Sequence, residues 1–235
     1  MATHLESELD KLKRELFEMW DLVLSQVKTT KEAIRDFDKG AAAEVLFKEK
    51  MVDVYELRLD RDCENIIALY SPVAVDLRLT LAALKINSNL ERIADFAKGI
   101  AKYVAKSPRD KVNPELLKVT TLVDLLENVY TMLSDARKAL EMENSRKAVS
   151  IFAKDDFLDD MHKRSNDIIS AYIRSHPEEI DESLNVHSMI RKIERMGDHT
   201  SNIAEEIVFY LEAKVLKHSG KNKKKETSLT GKKSE

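Results

Sequence analysis

Three observations predict an all-α protein built from two tandem three-helix bundles related by an internal repeat. Glycine and proline are scarce, 5 and 4 among 235 residues, where about 12% together is usual. That removes turn-rich β sandwiches and Gly-rich phosphate loops. Charged residues make up 34% and hydrophobic ones 43%, which suits long helices with solvated outer faces and an apolar core. Between the few breakers, apolar residues recur at spacings of three and four.

The elements follow in order. Leu5, Leu9, Leu12, Leu16, Met19, Val23 and Val27 form one stripe, so 4–38 reads as an amphipathic helix. Gly40 marks the break after it, and 41–70 is the second helix. Pro72 ends that element, and 73–106 is the third, about 50 Å long at 1.5 Å per residue. Pro108 and Pro114 bracket a linker at 108–113. Helices at 114–142, 145–175 and 179–217 complete six, with Pro177 between the last two. The expected units are therefore 1–107 and 114–217, with a disordered Lys-rich tail expected at 218–235.

The two halves resemble each other. Glu91-Arg92-Ile93-Ala94-Asp95 recurs 103 residues later as Glu194-Arg195-Met196-Gly197-Asp198. Glu49-x-x-x-Asp53 recurs 106 residues later as Asp155-x-x-x-Asp159, and Ala33-Ile34 matches Ala139-Leu140 at that same distance. The three-residue difference falls in the turns at Pro72 and Pro177, where length changes are tolerated. This is a duplicated three-helix unit.

Four acidic pairs at i,i+4 stand out: Glu49/Asp53, Glu91/Asp95, Asp155/Asp159 and Glu194/Asp198. Each pair shares a helix face, where like charges repel. In an antiparallel hairpin about Pro72, Glu49 and Asp95 are equidistant from the turn, and so are Asp53 and Glu91. The pairs Asp155/Asp198 and Asp159/Glu194 are centred in the same way beside Pro177. Each hairpin would gather four carboxylates at one level, and something positive should sit among them. Ion pairs with Arg92, Arg195 and neighbouring lysines are one answer. A hard cation such as Mg, Ca, Mn or iron is the other. At 100° per residue, Glu91 and Asp95 oppose Ile86, Leu90, Ile93 and Ile100, which puts such a site outside the core. Asn202, one turn after Asp198, is a further candidate ligand, and His199 a candidate neighbour.

Other chemistry finds little support. The single Cys63 allows neither an internal disulfide nor a cysteine zinc site. No Glu-x-x-His occurs, which a ferritin-like di-iron enzyme needs. Ser, Cys and His form no nucleophile arrangement. The start of the chain is acidic rather than signal-peptide-like, and no run of 18 apolar residues exists, so a cytoplasmic protein is expected. The net charge is −3, yet 217–235 holds seven lysines against Glu226 and Glu235. The remainder is therefore more acidic still and unsuited to nucleic acid. The tail reads either as a solubilising end or as a weak, salt-sensitive contact with an anionic membrane surface.

At these residues the chain resembles the PhoU family of phosphate transport regulators. The resemblance rests on Asn89-Leu90-Glu91-Arg92-Ile93-Ala94-Asp95 and on Ile193-Glu194-Arg195-Met196-Gly197-Asp198-His199-Thr200-Ser201-Asn202-Ile203. Each has its upstream acidic pair, and Pro72-Val73-Ala74-Val75-Asp76-Leu77-Arg78 adds to the match. It covers about 5–215. The first repeat has Phe96 and Gly99 where the family has His and Asn. The resemblance implies two multinuclear clusters of iron or zinc and no catalysis. It implies negative regulation of the phosphate-starvation response through a sensor histidine kinase and the phosphate importer ATPase, and a homodimer. The alternative is a helical adaptor for another transporter, with its carboxylates in ion pairs only.

Overall fold

The computed structural model describes residues 4–109 and 111–216. Among these it contains α1 (His4–Asp36), α2 (Lys39–Tyr70), α3 (Ala74–Lys106), α4 (Pro114–Val119), α5 (Leu122–Glu141), α6 (Ser145–Val149), α7 (Phe152–Ser175) and α8 (Ile180–Glu212). A 3-10 turn, Pro177–Glu179, precedes α8, and no strand occurs among the described residues. The all-α repeat architecture is as the sequence predicts. The expectations for the tail fall on 217–235, outside the described residues. No described helix is long and apolar enough to cross a membrane.

The stripe of α1 is buried from Leu9 to Val27, while Leu5 is only partly covered. The first break lies at Phe37–Asp38, not at Gly40. Phe37 takes φ 52°, and the Asp38 carboxylate caps α2 by accepting from the Gly40 and Ala41 amides at 2.7 and 3.1 Å. A side-chain cap decides the helix start here, so Gly40 sits inside the first turn of α2. Ser71, left-handed at φ 46°, closes α2 just before Pro72.

Three further boundaries differ from the sequence reading. The helix expected over 114–142 is two, because Thr121 turns left-handed at φ 48°. Thr120, buried, donates its hydroxyl to Leu116 O at 2.6 Å. Threonine hydroxyls compete for helix carbonyls in this way. The helix expected over 145–175 is also two, parted at Ser150–Ile151, where Ser150 Oγ donates to Lys147 O at 2.8 Å. The last helix stops at Glu212 rather than 217, with Ala213 left-handed at φ 56° and its N–H on Phe209 O. The protein therefore has six long segments of which two are interrupted.

The halves share one core. α3 packs along α8, and α1 along α5. Trp20 of α1 is fully buried and donates Nε1–H to Leu133 O of α5 at 3.2 Å. Replacing Trp20 with alanine removes this bond and empties a large volume. A loss of about 3–5 kcal/mol is expected in a denaturant titration, with both halves unfolding together because they share one core. The connection between the halves is also tied down at Arg109 and Asn113. Arg109 pairs with buried Glu182 of α8, whose Oε1 accepts from Asn113 N at 3.0 Å. Within the first half, buried Gln26 of α1 donates to Val45 O of α2 at 3.2 Å and to Ala94 O of α3 at 3.4 Å.

Candidate metal centre

The hairpin of α7 and α8 turns at Pro177, and its helical period aims acidic side chains from both arms into one place. Asp159 of α7 and Glu194 and Asp198 of α8 each bring an oxygen within 4.8 Å of the others. All three are half-buried. Burial raises the Glu194 pKa above the usual carboxylate range, and the Asp198 carboxylate adds to it, while His162 opposes. His162 Nδ1 lies 3.6 Å from Glu194 Oε1, and Lys163 Nζ lies 3.9 Å from Asp159 Oδ2.

Asp155 stands one turn before Asp159. It fits because residue 197 has no side chain: a Cβ there would meet Asp155 Oδ1 at 2.7 Å and Leu158 Cδ1 at 2.4 Å. Ser201 Oγ donates to Asp155 Oδ2 at 2.9 Å. The glycine thus lets an aspartate press against the α8 backbone. Three clustered oxygens with an imidazole beside them form a donor set for a divalent cation that accepts oxygen and nitrogen. The residues fit a metal, and what one would supply is charge that lets Glu194 stay ionised.

The first half gathers the same side chains differently. Glu49 of α2 is buried at 4% exposure, deeper than the outside position the sequence suggests. Asp53 is exposed, and Glu91 and Asp95 are half-buried. Lys98 of α3 pairs with Glu49 Oε1, and its Nζ lies 3.6 Å from Asp95 Oδ1. Glu49 and Asp95 therefore do meet across the Pro72 hairpin, but around an ammonium. Arg92 Nε is 3.6 Å from Glu91 Oε2. The Glu91 pKa is pushed up to about 7 by burial, then by the Asp95 and Glu56 carboxylates. No three carboxylates of this half share the closeness of Asp159, Glu194 and Asp198. In this half, therefore, Lys98 rather than a third carboxylate stands between Glu49 and Asp95.

Asn202 is exposed, and its amide faces Asn89 Oδ1 at 3.5 Å. His199 Nδ1 lies 2.8 Å from the same oxygen, and its ring packs on Phe96 at 5.8 Å. These two side chains thus join α8 to α3. Burial lowers the His199 pKa. Sequence reasoning missed His162, Ser201, Glu56 and Lys98 as members of the sites. Each follows a candidate aspartate by three positions, which on a helix is the same face, and that spacing was the available signal.

The PhoU domain family model matches residues 16–104 and 122–207, one match to each half of the repeat. The chain belongs to the PhoU family. A PhoU homolog 1 of Thermotoga maritima, named a phosphate-specific transport system accessory protein, is 30% identical over 214 residues, covering 91% of either chain. A homolog of the same description from Borreliella burgdorferi is 31% identical, covering 87% of this chain and 93% of its own. The crystal structure of PhoU from Pseudomonas aeruginosa superposes with a TM-score of 0.80 at 28% identity, covering 88% of this chain and 99% of that one. Within the PhoU fold, the carboxylates described above occupy matching positions of the two domains.

Proposed function

We propose that the protein is a metal-binding regulator of phosphate uptake and of phosphate-starvation signalling. It acts in the cytoplasm by contact with a sensor histidine kinase and the phosphate importer ATPase. The observation that carries the reading is the Asp159, Glu194 and Asp198 cluster in a PhoU chain whose relatives are accessory proteins of phosphate-specific transport. Iron or zinc is the proposed ion, with Mg, Ca or Mn as rivals for an oxygen-rich set. Phe47, Met51 and Val54 on one face of α2 are exposed at 64%, 42% and 55%. Such a row supports work by docking, to a partner or to a second copy.

Two measurements test this. Elemental analysis of protein purified without chelator should find iron or zinc. Deleting the gene should derepress phosphate-starvation genes in phosphate-rich medium. Normal repression in the deletion strain would overturn the regulatory reading in favour of an adaptor for another transporter, and metal-free protein would leave the carboxylates in ion pairs alone.

A further inference from the structure

We propose that Lys98 is the resident cation of the first half and closes that half to a metal ion, so that only the second half takes one. This rests on the metal reading of the second half. The observation is a substitution within the repeat. Lys98 and Ser201 hold the same repeat position, three residues after Asp95 and Asp198. Their partners match as well, since Glu49 and Asp155 correspond. Ser201 gives Asp155 a neutral hydroxyl. Lys98 gives Glu49 a full positive charge and reaches toward Asp95.

The rest of the first half agrees with this exchange. Glu49 is longer than Asp155 by one methylene, and the repeat position of Gly197 is held by Ala94. Its carboxylate is buried at 4% exposure, and a buried carboxylate needs a partner. Lys98 is that partner, with its own side chain 26% exposed. A dication entering between Glu49 and Asp95 would have to displace the ammonium. In the second half, Lys163 lies farther off, 3.9 Å from Asp159 with its side chain 69% exposed.

Zn²⁺ titrated into the full chain after chelator stripping tests the proposal, with zinc content and melting temperature as readouts. Wild-type zinc should disappear in Asp159→Asn with Glu194→Gln and be unchanged in Glu49→Gln with Asp95→Asn. Lys98→Ser should roughly double the zinc bound, and adding Glu49→Gln with Asp95→Asn should abolish the gain. Lys98→Arg should gain none, and Ser201→Lys should lose the second-half zinc. In chelator, Lys98→Ser should melt lower than wild type, because Glu49 loses its partner. Wild-type zinc that depends on Glu49 and Asp95 would overturn the proposal. So would a folded Lys98→Ser chain that binds no more than wild type. If the second-half variant changes nothing, the metal reading of that half fails instead, and the Lys98→Ser gain still decides the first half.

Discussion

Gly197→Ala should lower the melting temperature by roughly 4–8 °C, the reverse of what this exchange does in an ordinary helix. Alanine is about 1 kcal/mol better than glycine inside a helix. Here its Cβ would lie 2.4 Å from Leu158 Cδ1 and 2.7 Å from Asp155 Oδ1. Neither can move freely, since Leu158 is buried in the core and Asp155 is held by Ser201. Overpacking of this kind costs about 1–3 kcal/mol, and the severity of the contact places it at the upper end. The net loss is about 2 kcal/mol, and a chain of this size loses roughly 2–4 °C per kcal/mol. Gly99→Ala is the control. Its Cβ meets only Lys192 Cε and Cδ at 3.1 and 3.3 Å, the far end of a flexible side chain, so helix propensity should win and stability should hold or rise. Thermal melts of the two variants check this, and equal shifts would mean that the close approach at position 197 is not what the glycine serves.

Asp159→Asn together with Glu194→Gln should separate metal from folding. The amides keep the shape of the carboxylates and remove their mutual repulsion. In chelator the variant should therefore melt at or above the wild-type temperature. With zinc present the order should reverse. A ligand at 100 times its Kd adds about 2.7 kcal/mol to the form that binds it, and only the wild type has the anionic carboxylates to bind it. Differential scanning with and without zinc reads both signs. A variant that still gains stability from zinc would remove Asp159 and Glu194 from the ligand set. A variant that melts far lower in chelator would show that the carboxylates are structural.

The repeat, the six segments and the meeting of carboxylates across each hairpin were all legible, because proline punctuation and simple periodicity control them. Glu49 and Asp95 do approach a common point, as their equal distance from Pro72 requires. What escaped was decided by side chains a few atoms long. Thr120 and Ser150 interrupt helices through hydroxyls that take local carbonyls, while no proline or glycine marks those places. Asp38, not Gly40, starts α2 because a cap is an atom-level fit. The 100° projection put the carboxylates opposite the core, which describes Glu91 and Asp95 but not Glu49. A projection gives direction and not depth, and Glu49 lies buried with its carboxylate on Lys98 of α3.

Gln26 shows how the two copies have parted ways. Its single amide nitrogen reaches carbonyls on α2 and α3 at once, and the second of these, Ala94 O, lies one residue before Asp95. The corresponding residue of the other copy is Met132, equally buried, whose thioether has no proton to give. One half is thus stitched at the level of its carboxylates by an amide and an ammonium, groups that the polypeptide carries wherever it goes. The other keeps the same backbone outline around an apolar Met132 and a cluster of three carboxylates. Duplication has kept one outline while exchanging the polar groups at its centre, an amide and an ammonium in one copy, a thioether and a hydroxyl in the other.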